Sequence, residues 1–285
     1  MGILASGEAA KRVSGTKAMD AKEHSSPAPQ RTPAIHIRRI SLADVGAALA
    51  AGLRDFGRAP LIGLFFGSIY AVGGIVIWLL LVVFHEPWWI LPVAVGFPLL
   101  GPFVAAGLYD TSRRLSLGEP LRFGEILKVV LAQRQRQVGW MAFVVLFIFW
   151  MWLYQFRMLL AVFLGFKSFS SIEAFLTVVL TTPEGAGFLI AGTLVGAAIS
   201  FMLFCATVVA IPLLLDREVD LVTAIMASFK AVLENPAPMI GFGLIVALLS
   251  FAALVPLFLG LLVVLPVLGY ATWHLYTRVV DPAVS

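Results

Sequence analysis

Apolar residues fill this chain in long runs separated by short polar stretches, and six of the runs are close to the length of a bilayer span. They lie at about 61–84, 88–108, 138–160, 187–213, 238–255 and 257–276. A hydrocarbon core about 30 Å thick takes about 20 helical residues, so each run predicts a transmembrane helix. The last two belong to one apolar stretch from Met239 to Tyr276, too long for one span, and Pro256 marks the place for a turn. The alternative is a single long tilted helix and five spans in all.

Before the first and fifth runs the periodicity changes. Leu42, Val45, Leu49, Leu53 and Phe56 recur at helical spacing, as do Leu221, Ile225, Phe229 and Val232. Each set predicts an amphipathic helix lying on the cytoplasmic surface, ended by a proline where the chain turns into the membrane. The two regions align without a gap: Asp44 meets Asp220, Ala48 meets Ala224, Arg54 meets Lys230, Pro60 meets Pro236 and Gly67 meets Gly243. A weaker third copy begins at Phe123, with Ile126, Leu127, Val130 and Leu131 on one face. Pro98, Pro212 and Pro266 each open a Pro-(Leu/Val)-Leu step. The pattern predicts three tandem units, about 41–115, 120–216 and 219–280, each an interfacial helix followed by a helical hairpin, related by parallel symmetry. Gly63 with Gly67, and Gly192 with Gly196, leave room for close helix approach, expected within one chain rather than between two.

Composition fixes the class. Of 285 residues, 60% are hydrophobic and 13% charged, and mean hydropathy is +0.98, which excludes a water-soluble domain. The expected fold is therefore all-α and polytopic: a six-span membrane domain over 37–280, a disordered cytoplasmic tail over 1–36 and a short one over 281–285. Met1, Gly2 and Ser6 fit a myristoylation pattern that matches often by chance. Nine Lys and Arg residues from Lys11 to Arg58 precede the first run, and Arg113, Arg114, Arg122, Lys128, Arg134 and Arg136 lie between the second and third. The turn at 85–87 has none and the 166–186 loop has only Lys167, so both chain ends are expected in the cytoplasm. Trp78, Trp88 and Trp89 flank the first outer turn, as aromatics at headgroup level do. The net charge of +4 follows this loop bias, and nucleic acid is not an expected partner.

Candidate chemistry is sparse. Cys205 is the only cysteine, and His24, His36, His85 and His274 are too scattered for a metal site. No hydrolase or nucleotide motif is present, so neither catalysis nor a cofactor is expected. Arg157 is the one ionisable residue inside an apolar run, and a charge at depth costs at least about 2.5 kcal/mol. It serves as a snorkel to the outer headgroups, as an anion or lipid-phosphate contact, or as a hydrogen-bond donor to another span. Asp216, Arg217, Glu218 and Asp220 form a charged cluster at the end of the fourth run, with Asp220 placed to cap the following helix. Trp273 and His274 lie at the cytoplasmic end of the last run, and Asp110 mirrors them after the second.

The run Leu213-Leu-Leu-Asp-Arg-Glu-Val-Asp220, then Thr223-Ala224, Asn235-Pro236 and the stretch Leu265 to Tyr276 resemble the bacterial integral membrane family called domain of unknown function 2189. Thr181 to Gly185 also fits, and the family pattern often has His where this chain has Tyr270. The resemblance runs from about Ile37 to Val280 and implies a six-span bacterial inner-membrane protein with no assigned activity. Two functions are weighed against this background. The first is a non-enzymatic scaffold or modulator of a membrane complex, contacting a membrane-protein partner and anionic lipid headgroups at the cytoplasmic face. The second is a small transporter or lipid-handling protein with its site among spans three, four and six and Arg157 as an anion contact.

Overall fold

The structure, a computed structural model, describes residues 35–84, 90–133, 136–165 and 172–282. The expectations about the tail before residue 35, His85, Trp88, Trp89, Arg134 and Lys167 lie outside the described residues. From Ile35 onward the chain packs as one unit. Its helices are α1 (Leu42–Arg58), α2 (Pro60–Trp78), α3 (Ile90–Leu117), α4 (Phe123–Ala132), α5 (Gln137–Leu164), α6 (Ile172–Thr181), α7 (Pro183–Thr207), α8 (Ala210–Asp216), α9 (Leu221–Glu234), α10 (Pro236–Leu254) and α11 (Leu261–Val279). A π-helical turn, Leu79–Val83, extends α2. Four helical stretches among the described residues are long and apolar enough to cross a membrane: Pro60–Trp78, Gln137–Leu164, Pro183–Asp216 and Pro236–Leu254.

Local chemistry sets the ends of these helices. Ser41 caps α1 through a reciprocal box in which its Oγ accepts from the Asp44 amide and its own amide donates to Asp44 Oδ2 at 2.9 Å. Ala59 then leaves the helical region (φ −131°, ψ 52°), because the residue before a proline is sterically pushed out of it, and Pro60 starts α2. The chain repeats this corner at α9 and α10. Asn235 sits at φ −130°, ψ 53°, Pro236 starts α10, and α2 and α10 are each 19 residues long. The apolar stretch 239–276 divides where Pro256 predicts. The turn carries Leu257 and Phe258 in the left-handed region (φ 50° and 65°), and the Phe258 ring sits against Gly74, where a Cβ would come within 2.5 Å of it. Pro212 has no N–H, so the carbonyl of Val208 loses its helical partner, and the chain breaks between α7 and α8. The Val209 amide at that break donates instead to Ser228 Oγ on α9, at 3.1 Å.

Helix α11 is the axis against which the first three helices pack. A Cβ on Gly52 of α1 would lie 2.6 Å from the Ala271 amide nitrogen and the Val267 carbonyl, and one on Gly67 of α2 would lie 2.8 Å from the Leu262 carbonyl. Gly63 faces Phe56 and Pro266, so the first glycine pair packs within the chain, as expected. Gly192 and Gly196 have at most one distant neighbour, the Trp152 ring nitrogen at 3.9 Å from a Cβ on Gly196. In α1 the buried face is Val45, Ala48, Ala51, Gly52 and Asp55, whereas Leu42 and Leu53 are exposed. Of the expected stripe Leu42, Val45, Leu49, Leu53 and Phe56, Val45 alone is fully buried; the face seated on α11 is made of small residues because a backbone-to-backbone seat admits nothing larger.

Candidate functional site

Three side chains that are far apart in the chain meet beneath α1. Asp55 on α1, Ser112 on α3 and His274 on α11 converge on one carboxylate oxygen. Ser112 Oγ donates to Asp55 Oδ2 at 2.5 Å, and His274 Nε2 lies 2.7 Å from the same oxygen and 3.2 Å from Ser112 Oγ. Asp55 is 4% exposed and Ser112 is fully buried. One proton arrangement satisfies all three contacts: the Ser112 hydroxyl donates to Asp55, and the His274 Nε2–H is shared between Asp55 and the serine oxygen. Serine and carboxylate meet the same imidazole nitrogen. A nucleophile relay needs them on opposite nitrogens, so the knot has the residue types of a hydrolase triad without its order. One helical turn before His274, the buried Tyr270 hydroxyl has no hydrogen-bond partner among the described residues.

The adjoining end of α3 carries a second network. Asp110, 1% exposed, accepts from Arg113 at 2.8 Å and from Arg114 Nε at 2.8 Å, and Arg114 reaches on to Glu125 of α4 at 3.0 Å. Asp110 holds the Arg114 proton more tightly than usual, through a direct hydrogen bond that outweighs partial burial.

The sequence-derived candidates separate into three places. His274 is in the knot; the neighbouring Trp273 is buried instead, its ring tilted against those of Tyr109 and Tyr276 and its ring nitrogen unpartnered among the described residues. Asp216 accepts from the Tyr276 hydroxyl at 2.6 Å, and Arg217 lies 3.7 Å from Asp216 and donates to the Asp281 carbonyl. Asp220 caps α9, accepting from the Thr223 amide at 2.9 Å and from its hydroxyl at 2.5 Å. These bonds hold the Asp220 carboxyl below its ordinary value of 3.8. Arg157 stands apart, exposed on α5 with no ion pair or hydrogen bond among the described residues.

Next to this group the two ends of the described chain are fastened together. Ile37 and Val280 form an antiparallel bridge, Arg38 pairs with Asp281 at 3.0 Å, and the Asn235 side chain accepts from the Ile40 amide at 2.7 Å while donating to the Arg38 carbonyl at 3.0 Å.

Sequence reasoning missed Asp55 and Ser112. Asp55 is foreshadowed by its place on the small-residue stripe Val45, Ala48, Gly52, where an acid at a buried register demands a partner. Ser112 had no comparable signal. Between α2, α3, α5 and α7 lies a cavity of about 640 Å³, walled by residues such as Val145, Ile148, Phe149, Trp152 and Leu203, with Tyr70 and Ser200 contributing hydroxyls.

This many apolar helices, with buried polar knots toward the helix ends, describes a membrane protein. Residues 90–216 match the family DUF2189, described as a predicted integral membrane protein. The DUF2189 match starts with α3 and ends with α8, so it takes in Ser112, the Asp110 network, Thr181 to Gly185 and Leu213 to Asp216. The other residues that suggested the resemblance, Arg217 onward to Tyr276, lie beyond the matched segment. No curated protein and no solved structure matches the chain.

Proposed function

We propose that this protein is a non-enzymatic scaffold or modulator of a membrane complex, set in the inner membrane by six spans arranged as three tandem units with both ends cytoplasmic. One observation carries the functional reading. Helix α5 exposes Trp140, Phe143, Phe147, Trp150 and Tyr154, spaced alternately by three and four residues, with exposed Arg157 next in register. This is the spacing of a helix-pairing seam, and it is written in aromatic residues, which are enriched at protein interfaces. Lipid tails make no such demand.

Two further features support it. The polar residues of the knots bond to one another, and the 640 Å³ cavity is walled mainly by apolar side chains, which suits neither an ion nor a polar solute. That Ser112 and Asp55 meet the same His274 nitrogen also speaks against a hydrolytic role. For the tandem units, the contacts have a cyclic order: α4 packs on α3, α9 on α7 and α8, and α1 on α11, so that each unit's leading helix seats on the closing helix of another.

The test is native mass spectrometry of the full chain released from lipid nanodiscs, with and without the triple substitution Phe143→Leu, Phe147→Leu and Trp150→Leu. A stoichiometric protein partner lost in the triple variant is the expected result. A spectrum with no protein partner and one discrete hydrophobic ligand would replace the scaffold with the lipid-handling reading, which the 640 Å³ cavity favours. Arg157 would then serve a surface lipid, because it lies about 140° around α5 from the cavity-lining Trp152. The topology is tested separately: in a Cys205→Ala background, a cysteine at position 119 labels from the cytoplasmic side only.

A further inference from the structure

The two proline corners share a backbone but not an occupant. At the α9–α10 corner Asn235 is 3% exposed, and its amide is closed over the segment at 38–40 through bonds of 2.7 and 3.0 Å. At the α1–α2 corner the equivalent residue is Ala59, which offers no hydrogen bond from its side chain, and the space beside it is open. A cleft of about 440 Å³ lies there, between Arg58, Leu61 and Ile62 on one side and Leu121 and Phe123 on the other.

Charge and position say what fits this cleft. Arg58 is exposed, with no ion pair or hydrogen bond among the described residues. Its nearest acid in sequence on the same helix, Asp55, is committed to Ser112 and His274. Arg122, between Leu121 and Phe123 in sequence, is 72% exposed and shares Glu125 with Arg114, so the charge among the lining residues is the unpaired Arg58 guanidinium. The floor is aliphatic and aromatic. Pro60, at the mouth, is the first residue of a stretch apolar enough to cross the membrane, which sets the cleft at the level where headgroup gives way to hydrocarbon. A ligand that matches has an anionic head offering two acceptor oxygens to the Arg58 fork and an apolar body for Leu61, Ile62 and Phe123.

We infer that the α1–α2 corner is a binding site for an anionic phospholipid, whose phosphate is held by Arg58 and whose glycerol and first acyl carbons fill the cleft against Leu121 and Phe123. The inference rests on α1 lying at the membrane surface, as its amphipathic pattern predicts, and not on any protein partner.

The experiment compares the full-length protein with Arg58→Gln, Leu61→Trp and Arg54→Gln in nanodiscs that mix phosphatidylcholine with phosphatidylglycerol, counting retained lipids by native mass spectrometry after release. Arg54 lies one turn from Arg58 and outside the cleft, so it reports diffuse attraction alone. Leu61 is 81% exposed, so a tryptophan there obstructs the cleft without disturbing the core. One phosphatidylglycerol is expected to persist on the unmodified chain. Its retention should fall about tenfold in Arg58→Gln and be blocked in Leu61→Trp, while Arg54→Gln leaves it unchanged. Equal losses in Arg54→Gln and Arg58→Gln, equal retention of phosphatidylcholine, or retention in Leu61→Trp would each overturn the site. The scaffold reading is scored from the protein masses in the same spectra, and the surface position of α1 from labelling of a cysteine placed at position 57. Failure of the site, of the scaffold reading and of the surface position are therefore distinguishable.

Discussion

The first and second proline corners solve one geometric problem with opposite chemistry. In both, an amphipathic helix ends two residues before a proline, and a 19-residue apolar helix follows. In the first corner the polar group sits a turn earlier, at Asp55, and is spent on side chains from α3 and α11. In the second the corresponding position is Ala231, the polar group is Asn235 at the corner itself, and it is spent on backbone. The small-residue seat differs in the same way. Gly52 presses on the backbone of α11, whereas its counterpart Ser228 keeps a side chain and uses it to satisfy the Val209 amide at the α7–α8 break. Backbone geometry is thus shared, while buried polarity decides what each corner holds together.

The strongest way to break that contrast is to empty the first knot. Asp55→Ala leaves Ser112 and His274 without their acceptor, and a loss of about 3–5 kcal/mol is expected in reversible unfolding in mixed micelles. Asp55→Asn, which keeps an acceptor, should lose clearly less; equal losses would mean that charge, rather than hydrogen bonding, holds the knot. Next in size, Gly52→Ala forces α1 off α11 and should cost about 1–3 kcal/mol. Gly57→Ala on the same helix has open space at its Cβ and should gain about 0.5–1 kcal/mol, so the opposite signs isolate the seat from helix propensity. At the second corner, Asn235→Ala strips partners from the Ile40 amide and the Arg38 carbonyl. A loss of about 1–2 kcal/mol is expected, with faster hydrogen exchange confined to the residues around 38–40.

The smallest effect concerns the helix caps that both regions share. The Ser41 amide and hydroxyl hold Asp44 below its ordinary value of 3.8, and the Thr223 hydroxyl and amide do the same for Asp220. A carboxylate with a lowered folded value stabilises most above its unfolded value. Cap protection should therefore be complete above about pH 5 and fade as pH falls through the lowered values. Hydrogen exchange in the first turns of α1 and α9 measures this. Exchange there that stayed unchanged as pH fell from about 6 to about 3, once its intrinsic pH dependence is removed, would overturn this.

Much of the fold is legible along the sequence because it depends on neighbours in the chain. Pro256 divides the last apolar stretch, Asp220 caps α9, and Gly63 and Gly67 pack inward. Each of these follows from steric or hydrogen-bond rules acting within a few residues. The knot was not legible, since Ser112 is 57 positions from Asp55 and 162 from His274, and nothing local brings them together. The second face of α1, the one seated on α11, was not legible for a related reason. A hydrophobicity pattern ranks Leu42 and Leu53 above Ala48 and Gly52, but close seating of two backbones selects for small size, and the large residues are left on the outside.

The bridge between Ile37 and Val280 gives the described chain a seam. Tension applied between residues 35 and 282 would load the Arg38–Asp281 pair and a few backbone bonds before any apolar helix, so stretching should open the molecule at a low-force clasp and leave the helical bundle loaded only afterwards. The same closeness makes it a natural candidate for circular permutation. A short linker from 282 to 35, with new ends in the 118–122 loop, would turn a noncovalent fastening into a covalent one.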